Sequence, residues 1–373
     1  MLYVHIPFCK QLCAYCDFYF SVSLQRKEQM LRALLHEMDV RVGKQQSTDL
    51  NTLYFGGGTP SVLTPPELFL LIEKAKKRLG VNAFSELTVE VNPDDISFEY
   101  ATQLREIGVN RLSIGIQSFC DNQLKTLRRR HNSAQAKESV RAAQAAGFKN
   151  ITIDLMYGLP NQTIEDWKND VAQALALDVP HISAYMLTIE PHTIFGKQQI
   201  QNSLSLPSEE ICEAQFLYLH DALEGAGYEH YEVSNFARKN FRAQHNSGYW
   251  KGFPYVGIGP SAHSFDGKNR QWNVANNLRY LEVIENNFPV FETEILSPEM
   301  RFNEYLLVSL RTATGADLQY IGSTFGESFL KHCLAQAQIY LASGKLVKTN
   351  DCLQIPPRQF LLSDSIIRDL FWI

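Results

Sequence analysis

The sequence lacks an apolar run long enough to cross a membrane, which takes about 20 residues. The run LFLLI at residues 68–72 contains five. The segment LYVHI that follows Met1 is typical of a structural strand and not of a secretory leader. We therefore expect a cytoplasmic protein with no membrane span, which leaves open a peripheral contact with a membrane-bound partner.

The sequence also lacks an excess of basic residues. It contains 35 Lys and Arg against 40 Asp and Glu, and its formal net charge is −5. Proteins that bind nucleic acids usually carry a basic patch, so this balance argues against nucleic acid as a partner. With 373 residues, of which 45% are hydrophobic, the chain can form one large domain and a smaller appendage.

The seven cysteines are not spaced like a disulfide framework, and a reducing cytosol would not maintain one. Cys9, Cys13 and Cys16 are clustered in the segment CKQLCAYC. Thiolates are soft ligands, so this spacing favours an iron–sulfur cluster first, a zinc site second and a role without metal last. The other cysteines are scattered, which predicts small buried side chains. They are Cys120, Cys212, Cys333 and Cys352.

Strands and helices alternate through the first half of the chain. Apolar periodicity predicts helices at 25–42, 65–79, 163–177 and 208–224, and N-cap residues predict two more, beginning at Ser97 and Ser133. Short β-rich segments lie between them. Six strand–helix units predict a parallel sheet with right-handed crossovers. We predict an α/β fold with a partial (β/α)6 barrel. An open doubly wound sheet is the alternative, because periodicity alone does not distinguish the two arrangements.

The alternating pattern ends after about residue 228. The segment 231–265 is rich in aromatic residues, Gly, Asn and His. Helical patterns return near residue 301 and at 329–342, and a hairpin with its turn at 349–351 follows. We therefore divide the chain into a barrel at 1–230, a connecting segment at 231–297 and a small, mainly helical domain at 298–373.

A set of motifs along the chain resembles one branch of the radical S-adenosylmethionine (SAM) superfamily. The motifs are LYVHIPFC, YFGGGTPS, VEVNP, IGIQSF, IDLMYGLP, HNSGYW and GIGPSAHSF, and they span residues 2–265. The branch contains oxygen-independent coproporphyrinogen III oxidases and radical-SAM heme chaperones. The resemblance implies a [4Fe–4S] cluster on Cys9, Cys13 and Cys16, with one iron left open for the methionine moiety of SAM.

The resemblance also implies the residues that contact SAM. Glycines allow a close approach of backbone to a ligand, carboxylates suit its hydroxyl or amino groups, and an arginine fork suits its carboxylate. The implied positions are Tyr3, Tyr15, Gly57, Gly58, Thr59, Glu90, Gln117, Arg129 and Asp154. A purely structural explanation stays open for several of them: a tight turn for the glycines, strand-end ions for the carboxylates and a surface charge for the arginine.

Two features separate the subgroups of this branch. The oxidases carry CxxxCxxCxC and an extension before the first strand, whereas this sequence has Phe18 at the last position and starts directly at the strand. In the chaperones HNSGYW is associated with heme, which makes His245 a candidate axial ligand and Tyr249 and Trp250 candidate porphyrin contacts. His263 is a second candidate ligand. The alternative for the motif is a structural His–Asn turn packed by two aromatic rings.

These features predict a heme chaperone that binds heme and transfers it to an acceptor protein, with a [4Fe–4S] cluster and SAM in its radical SAM core. The alternative is an oxygen-independent coproporphyrinogen III oxidase, and the sequence leaves open whether the chain is an enzyme. It does not identify the acceptor, and it leaves monomer and dimer as alternatives.

Overall fold

The computed structural model describes residues 1–43, 51–286 and 291–373, and a nine-stranded sheet forms the centre of this part of the chain. Its strands are β1 (Leu2–Ile6), β2 (Thr52–Gly57), β3 (Glu86–Val91), β4 (Arg111–Gln117), β5 (Asn150–Tyr157), β6 (His181–Met186), β7 (Glu229–Glu232), β8 (Asn235–Ala237) and β9 (Val256–Ile258). Strands β1 to β6 lie side by side in chain order, each parallel to the next. β9 pairs in parallel with β1, whereas β8 is antiparallel to β6. The prediction of a partial (β/α)6 barrel is confirmed.

Helices cover the outer face of this sheet. The helices of the barrel are α1 (Lys27–Arg41), α2 (Pro65–Leu79), α3 (Phe98–Glu106), α4 (Asp121–Thr126), α5 (Ser133–Ala145), α6 (Ile164–Ala176), α7 (Ile194–Ile200) and α8 (Glu209–Gly225). Neighbouring helices contact each other in the pairs α1 with α2, α3 with α5 and α6 with α8. The sequence reasoning missed α4 and α7, because helices of six and seven residues are too short to show a periodicity.

Several helices begin at a side chain that accepts a backbone N–H group. Ser97 caps α3 as predicted, since its hydroxyl accepts a hydrogen bond from the N–H of Tyr100. The prediction that Ser133 caps α5 is wrong: Asn132 is the N-cap and Ser133 is the first helical residue. Asn132 forms a capping box with Gln135, which satisfies two backbone donors at once and so outcompetes a serine one position later.

The remaining elements follow β8. They are α9 (Gln244–Trp250), β10 (His263–Phe265), β11 (Asn269–Asn273), α10 (Asn277–Glu285), β12 (Phe291–Ile295), α11 (Pro298–Ser309), β13 (Ala316–Asp317), α12 (Leu318–Thr324), α13 (Glu327–Ala342), β14 (Val347–Thr349), β15 (Cys352–Gln354) and α14 (Ser363–Leu370). The C-terminal part is mainly helical and contains the predicted hairpin as β14 and β15. The division at 1–230, 231–297 and 298–373 stays a prediction; residues 256–258 of the middle segment belong to the central sheet as β9.

The scattered cysteines are less buried than predicted. Only Cys333 is buried, whereas Cys120, Cys212 and Cys352 are partly exposed. In the described residues no helix is both long and apolar enough to span a membrane.

Buried polar residues at the amino ends of the strands form a layer across the barrel interior. We call this set, Glu86, Arg111, Thr152, His181 and Tyr231, the basal layer. The Thr152 hydroxyl accepts from Arg111 Nη2 at 2.5 Å and lies 3.1 Å from His181 Nδ1. His181 Nε2 is in turn 2.8 Å from the Tyr231 hydroxyl. These bonds satisfy polar groups that would otherwise destabilise a buried layer.

A buried carboxylate ties α1 to the segment that follows β9. Glu37 is 1% exposed and pairs with Arg41 at 2.9 Å. It also accepts hydrogen bonds from the side chains of Asn273 and Tyr280, at 2.7 and 2.5 Å, and from the backbone N–H of Gly259 at 2.8 Å. One side chain therefore satisfies donors from elements that are more than 200 residues apart, and it holds β9 against the first helix.

We expect Glu37→Ala to lower the free energy of unfolding by about 3–5 kcal/mol, because it removes the only carboxylate paired with Arg41 in the described residues and the acceptor of the buried Tyr280 hydroxyl. Urea unfolding of the metal-free protein measures this loss. Lys331→Ala is the control, because it removes an exposed ion pair with Glu327 and should change stability by about 0–1 kcal/mol. A loss for Glu37→Ala as small as that of the control would contradict this prediction.

Candidate functional site

The carboxyl ends of β1 to β5 form one mouth of the barrel. Residues 9–16, the cysteine loop, follow β1, and Gly57, Gly58 and Thr59 lie at the end of β2. β3, β4 and β5 bring Glu90, Gln117 and Asp154 to the same side. Because parallel strands place their carboxyl ends at one edge, residues distant in sequence converge there. The structure thus brings together the residues that the sequence predicted for cluster and SAM binding. The heme motif does not lie among them.

The cysteine loop is fixed to the end of β2 by its backbone. The N–H of Gly58 donates to the carbonyl of Ile6 at 2.9 Å, and the N–H of Thr59 donates to the carbonyl of Phe8 at 2.7 Å. A Cβ atom at Gly58 would lie 2.5 Å from the Phe8 carbonyl oxygen, so only glycine fits. The glycine run therefore allows a close approach of two chain segments, in addition to the approach to a ligand that the sequence suggested.

A second contact covers the loop from the opposite side. The N–H of Ala14 donates to the carbonyl of Leu127 at 3.1 Å, and the carbonyl of Ala14 accepts from the N–H of Phe195 at 3.0 Å. The Tyr15 ring packs beside these residues in a small apolar cluster. Phe195 belongs to α7, so the helix that the sequence reasoning missed holds the cysteine loop in place.

Two of the three thiols receive hydrogen bonds from one polar network. The Thr59 hydroxyl donates to Cys9 Sγ at 3.3 Å, and Arg129 Nη1 donates to Cys13 Sγ at 3.4 Å. Asn92 joins the two donors: its amide donates to Thr59 Oγ1 at 3.2 Å and its oxygen accepts from Arg129 Nη2 at 2.6 Å. Sequence reasoning missed Asn92, although its place in VEVNP directly after the β3 strand was a usable signal.

The protonation of the thiols depends on burial and on one another. The pKa of Cys9 is raised to about 12, mainly by burial; the Thr59 hydroxyl opposes this shift, and the neighbouring Cys16 and Cys13 add to it. Burial likewise raises the pKa of Cys16 to about 11. Three thiolates this close together need a positive charge between them, which iron ions supply. The thiols and their donors therefore fit a cluster. Among the described residues, no three His, Cys, Asp or Glu side chains are close enough to bind the same metal ion. A cubane does not require this, because each thiolate binds a different iron.

Two carboxyl groups lie inside the barrel below the mouth. Glu90 accepts from the Tyr54 hydroxyl at 2.7 Å, and burial raises its pKa to about 7. Asp154 accepts from the Ser113 hydroxyl at 3.2 Å, and burial raises its pKa to about 6. The Tyr3 ring packs beside that of Tyr54. These carboxyl groups are poorly solvated, which suits them to bind the hydroxyl or amino groups of a ligand.

Gln117 and Arg129 lie beside an irregularity at the end of β4. Gln117 has a φ of 69°, and the register with β5 shifts between Gly115 and Gln117. Arg129 Nη2 donates to the carbonyl of Gly115 at 2.7 Å, while its buried Nε has no hydrogen-bond partner. Arg129 is therefore not a surface charge. It binds a thiol, an amide and a carbonyl, and it keeps one buried donor available.

His245 lies at the other end of the barrel. It is 0% exposed, and HNSGYW forms the helix α9 where the sequence offered a His–Asn turn as the alternative. Its Nδ1 is 2.7 Å from the Thr52 hydroxyl, at the start of β2, and its Nε2 is 2.8 Å from the Tyr249 hydroxyl. Its backbone N–H donates to Glu86 of the basal layer at 2.9 Å. Both ring nitrogens are thus occupied, and the ring does not face the mouth.

A cavity of about 1750 Å³ extends from the cysteine loop to the C-terminal helices. Cys13 and Cys16 lie on its wall at one side, and Tyr249 and Trp250 lie on its wall at α9. The exposed His263 also lines it, and no described residue forms a hydrogen bond with the His263 ring. Small-molecule sites usually measure about 300–1,000 Å³, so this cavity has room for a large ligand.

Comparisons with known proteins show to which sequences and which fold the chain is similar. Residues 3–174 match the family model described as the radical SAM superfamily. The chain is 37% identical to the heme chaperone HemW of Bacillus subtilis over 87% of each chain. It is 39% identical to the heme chaperone HemW of Escherichia coli over 70% of this chain and 69% of that one. A solved structure, the coproporphyrinogen III oxidase HemN of Escherichia coli, matches 99% of this chain and 89% of its own with a TM-score of 0.84 and 24% identity, which shows the fold.

We expect Gly58→Ala to lower the free energy of unfolding by about 1–3 kcal/mol, because its Cβ would overlap the Phe8 carbonyl. The displaced cysteine loop should also bind less iron during anaerobic cluster reconstitution. The measurements are urea unfolding and iron content. Gly225→Ala is the control, since its Cβ would meet no heavy atom within 4 Å. Equal stability and equal iron content in the two variants would refute the steric argument.

We expect the stability difference between Glu90→Gln and the wild type to change with pH. The pKa of Glu90 is about 7 in the folded protein and 4.5 when unperturbed, so the folded state holds a proton that the unfolded state loses between these values. The wild type should therefore lose on the order of 2 kcal/mol relative to Glu90→Gln between pH 5 and pH 8. Urea unfolding at several pH values measures this, with Glu106→Gln on the exposed side of α3 as the control. A difference that is flat with pH would contradict the prediction.

Proposed function

Because the chain belongs to the family of the heme chaperones HemW, within the radical SAM superfamily, we propose that it binds heme and transfers it to an acceptor protein. The observation that carries this proposal is the large cavity, which joins the cysteine loop, the aromatic face of α9 and the C-terminal helices. A planar tetrapyrrole needs a wide apolar site with aromatic walls, and this cavity offers one.

In this proposal Cys9, Cys13 and Cys16 hold a [4Fe–4S] cluster, with Thr59 and Arg129 donating hydrogen bonds to two of the sulfurs. Bound there, the cluster would supply an open iron for SAM and an electron for its reductive cleavage. Hydrogen bonds to the sulfurs adjust the reduction potential of such a cluster. The donors are partly buried, so their effect is stronger than it would be in water.

SAM would lie at the barrel mouth beside the cluster. Glu90 and Asp154 would bind its hydroxyl or amino groups, and the unpartnered Nε of Arg129 would face a negative group. The other proposed neighbours shape the site from the strand ends and from the cysteine loop. They are Tyr3, Tyr15, Gly57, Gly58, Thr59 and Gln117.

Heme would contact Tyr249 and Trp250 on the cavity wall. His245 supports this surface from below, because its Nε2 is hydrogen-bonded to the Tyr249 hydroxyl one helical turn away. An axial ligand needs a ring nitrogen that faces the heme, and in this conformation both nitrogens of His245 are occupied. We therefore propose His245 as a positioning residue of the heme site.

His263 is the better placed ligand for the heme iron. It is exposed on the cavity wall, and its ring is in contact with Trp272. Desolvation by the wall, and then the charge of Arg270, lower its pKa, which favours the neutral imidazole that binds iron. The alternative function, a coproporphyrinogen III oxidase, gains no support here: Phe18 is 72% exposed beside the cysteine loop, and it lines the cavity.

The proposal includes a cytoplasmic location and an acceptor protein as the partner.

The test is an anaerobic titration of the cluster-reconstituted protein with heme, followed by absorption spectroscopy. We expect saturation near one heme per chain, and we expect His263→Ala to weaken binding and shift the heme absorption maximum, because the iron loses its ligand. His245→Ala should instead lower stability and leave the absorption maximum in place. His36→Ala, at an exposed position of α1, is the control. Without saturable binding the proposed function fails. If His263→Ala leaves the spectrum unchanged, only the assignment of His263 as the iron ligand fails.

A further inference from the structure

One arginine on the cavity wall has no polar partner among the described residues. Arg301 lines the cavity from α11, and its buried Nε makes no hydrogen bond. The other two arginines on the described wall are paired: Arg242 with Glu229 at 2.9 Å and Arg270 with Glu304 at 2.5 Å. Arg301 is partly exposed, but its buried Nε is shielded from water without gaining an acceptor, which costs free energy. The wall therefore carries a positive charge that lacks its anion.

The position of Arg301 in its helix adds to this cost. It is the fourth residue of α11, close to the helix N-terminus, where the helix dipole is unfavourable for a cation. The acidic residues nearby are engaged elsewhere: Glu299 accepts from the Ser297 hydroxyl at 2.7 Å, and Glu304 pairs with Arg270. A ligand with an acidic group would therefore gain from both the free guanidinium group and the helix dipole.

We infer that Arg301 binds a carboxylate of the tetrapyrrole and so fixes its orientation in the cavity. This inference rests on the proposed heme function. α11 contacts α9, so Arg301 and Trp250 line connected parts of one cavity. The aromatic wall can contact the tetrapyrrole ring, and the arginine can bind the carboxylate at the edge of that ring. Arginine suits this role because its planar fork can donate two parallel hydrogen bonds to one carboxylate.

The experiment compares two ligands, heme with free propionates and heme dimethyl ester, in which both carboxylates are blocked. Each is titrated into the cluster-reconstituted wild type, Arg301→Gln, Arg301→Lys and the control Arg311→Gln. Arg311 follows α11 and pairs with Asp364 at 2.7 Å, so its change removes an equal charge away from the cavity wall.

We expect Arg301→Gln to weaken binding of the free acid by about 10- to 100-fold, as for a lost hydrogen bond to a charged group. Binding of the ester should stay unchanged, which also shows that the variant is folded. Arg301→Lys should retain part of the affinity for the free acid, because it keeps the charge and loses the fork. Arg311→Gln should match the wild type with both ligands.

Two results would overturn the inference while the proposed function stands. The first is an equal loss of affinity for both ligands, which would mean that Arg301 acts through the shape of the cavity. The second is unchanged affinity for the free acid in Arg301→Gln. If the wild type itself binds neither ligand, the proposed heme function fails, and this inference fails with it.

Discussion

The close approach of the cysteine loop to the end of β2 is the constraint on which the candidate site depends. Two backbone hydrogen bonds, from Gly58 and Thr59, hold the loop at this place. The same contact brings the Thr59 hydroxyl to Cys9, and Asn92 then joins Thr59 to Arg129 and so to Cys13. A single side chain at position 58 would disturb the loop and this network together, since the atoms it would meet belong to the backbone of Ile6 and Phe8. The geometry of the cysteine loop and the environment of its thiols therefore depend on the same contact.

The two ends of the barrel differ in role: the mouth suits ligand binding, and the opposite end stabilises the fold. At the mouth, polar groups such as the Arg129 Nε are left without partners, which suits a binding site. At the opposite end, hydrogen bonds link the groups of the basal layer, in which only the buried Arg111 Nε lacks a hydrogen-bond partner. Burial there lowers the pKa of His245 to about 3, which keeps its ring neutral. α9 joins the two ends: its histidine is anchored below, and its aromatic residues line the cavity. One short motif can therefore support both the fold and the binding surface.

The sequence predicted the barrel and the residues at its mouth because both follow local rules. Short β-rich segments that alternate with helices predict a parallel sheet, and the carboxyl ends of parallel strands share one edge. It did not reveal the burial of His245, because that burial comes from Thr52 and Glu86, which lie 193 and 159 residues earlier in the chain. The same limit applies to Gly58, whose neighbour Phe8 is 50 residues away, and to Arg301, whose lack of a partner is visible only once Glu304 is seen to bind Arg270.

The pairing of β1 with β9 has a consequence for the order of folding. Leu2 lies beside Val256, so the strand that leads into the cysteine loop gains its second neighbour only when most of the chain has been synthesised. Until then β1 is an edge strand, with one row of backbone groups unpaired. Contacts of this sequence separation slow folding and expose such edges to wrong partners. The nascent chain thus carries its cysteines on an unfinished edge, and a mature site can form only late, after the segment around β9 has docked.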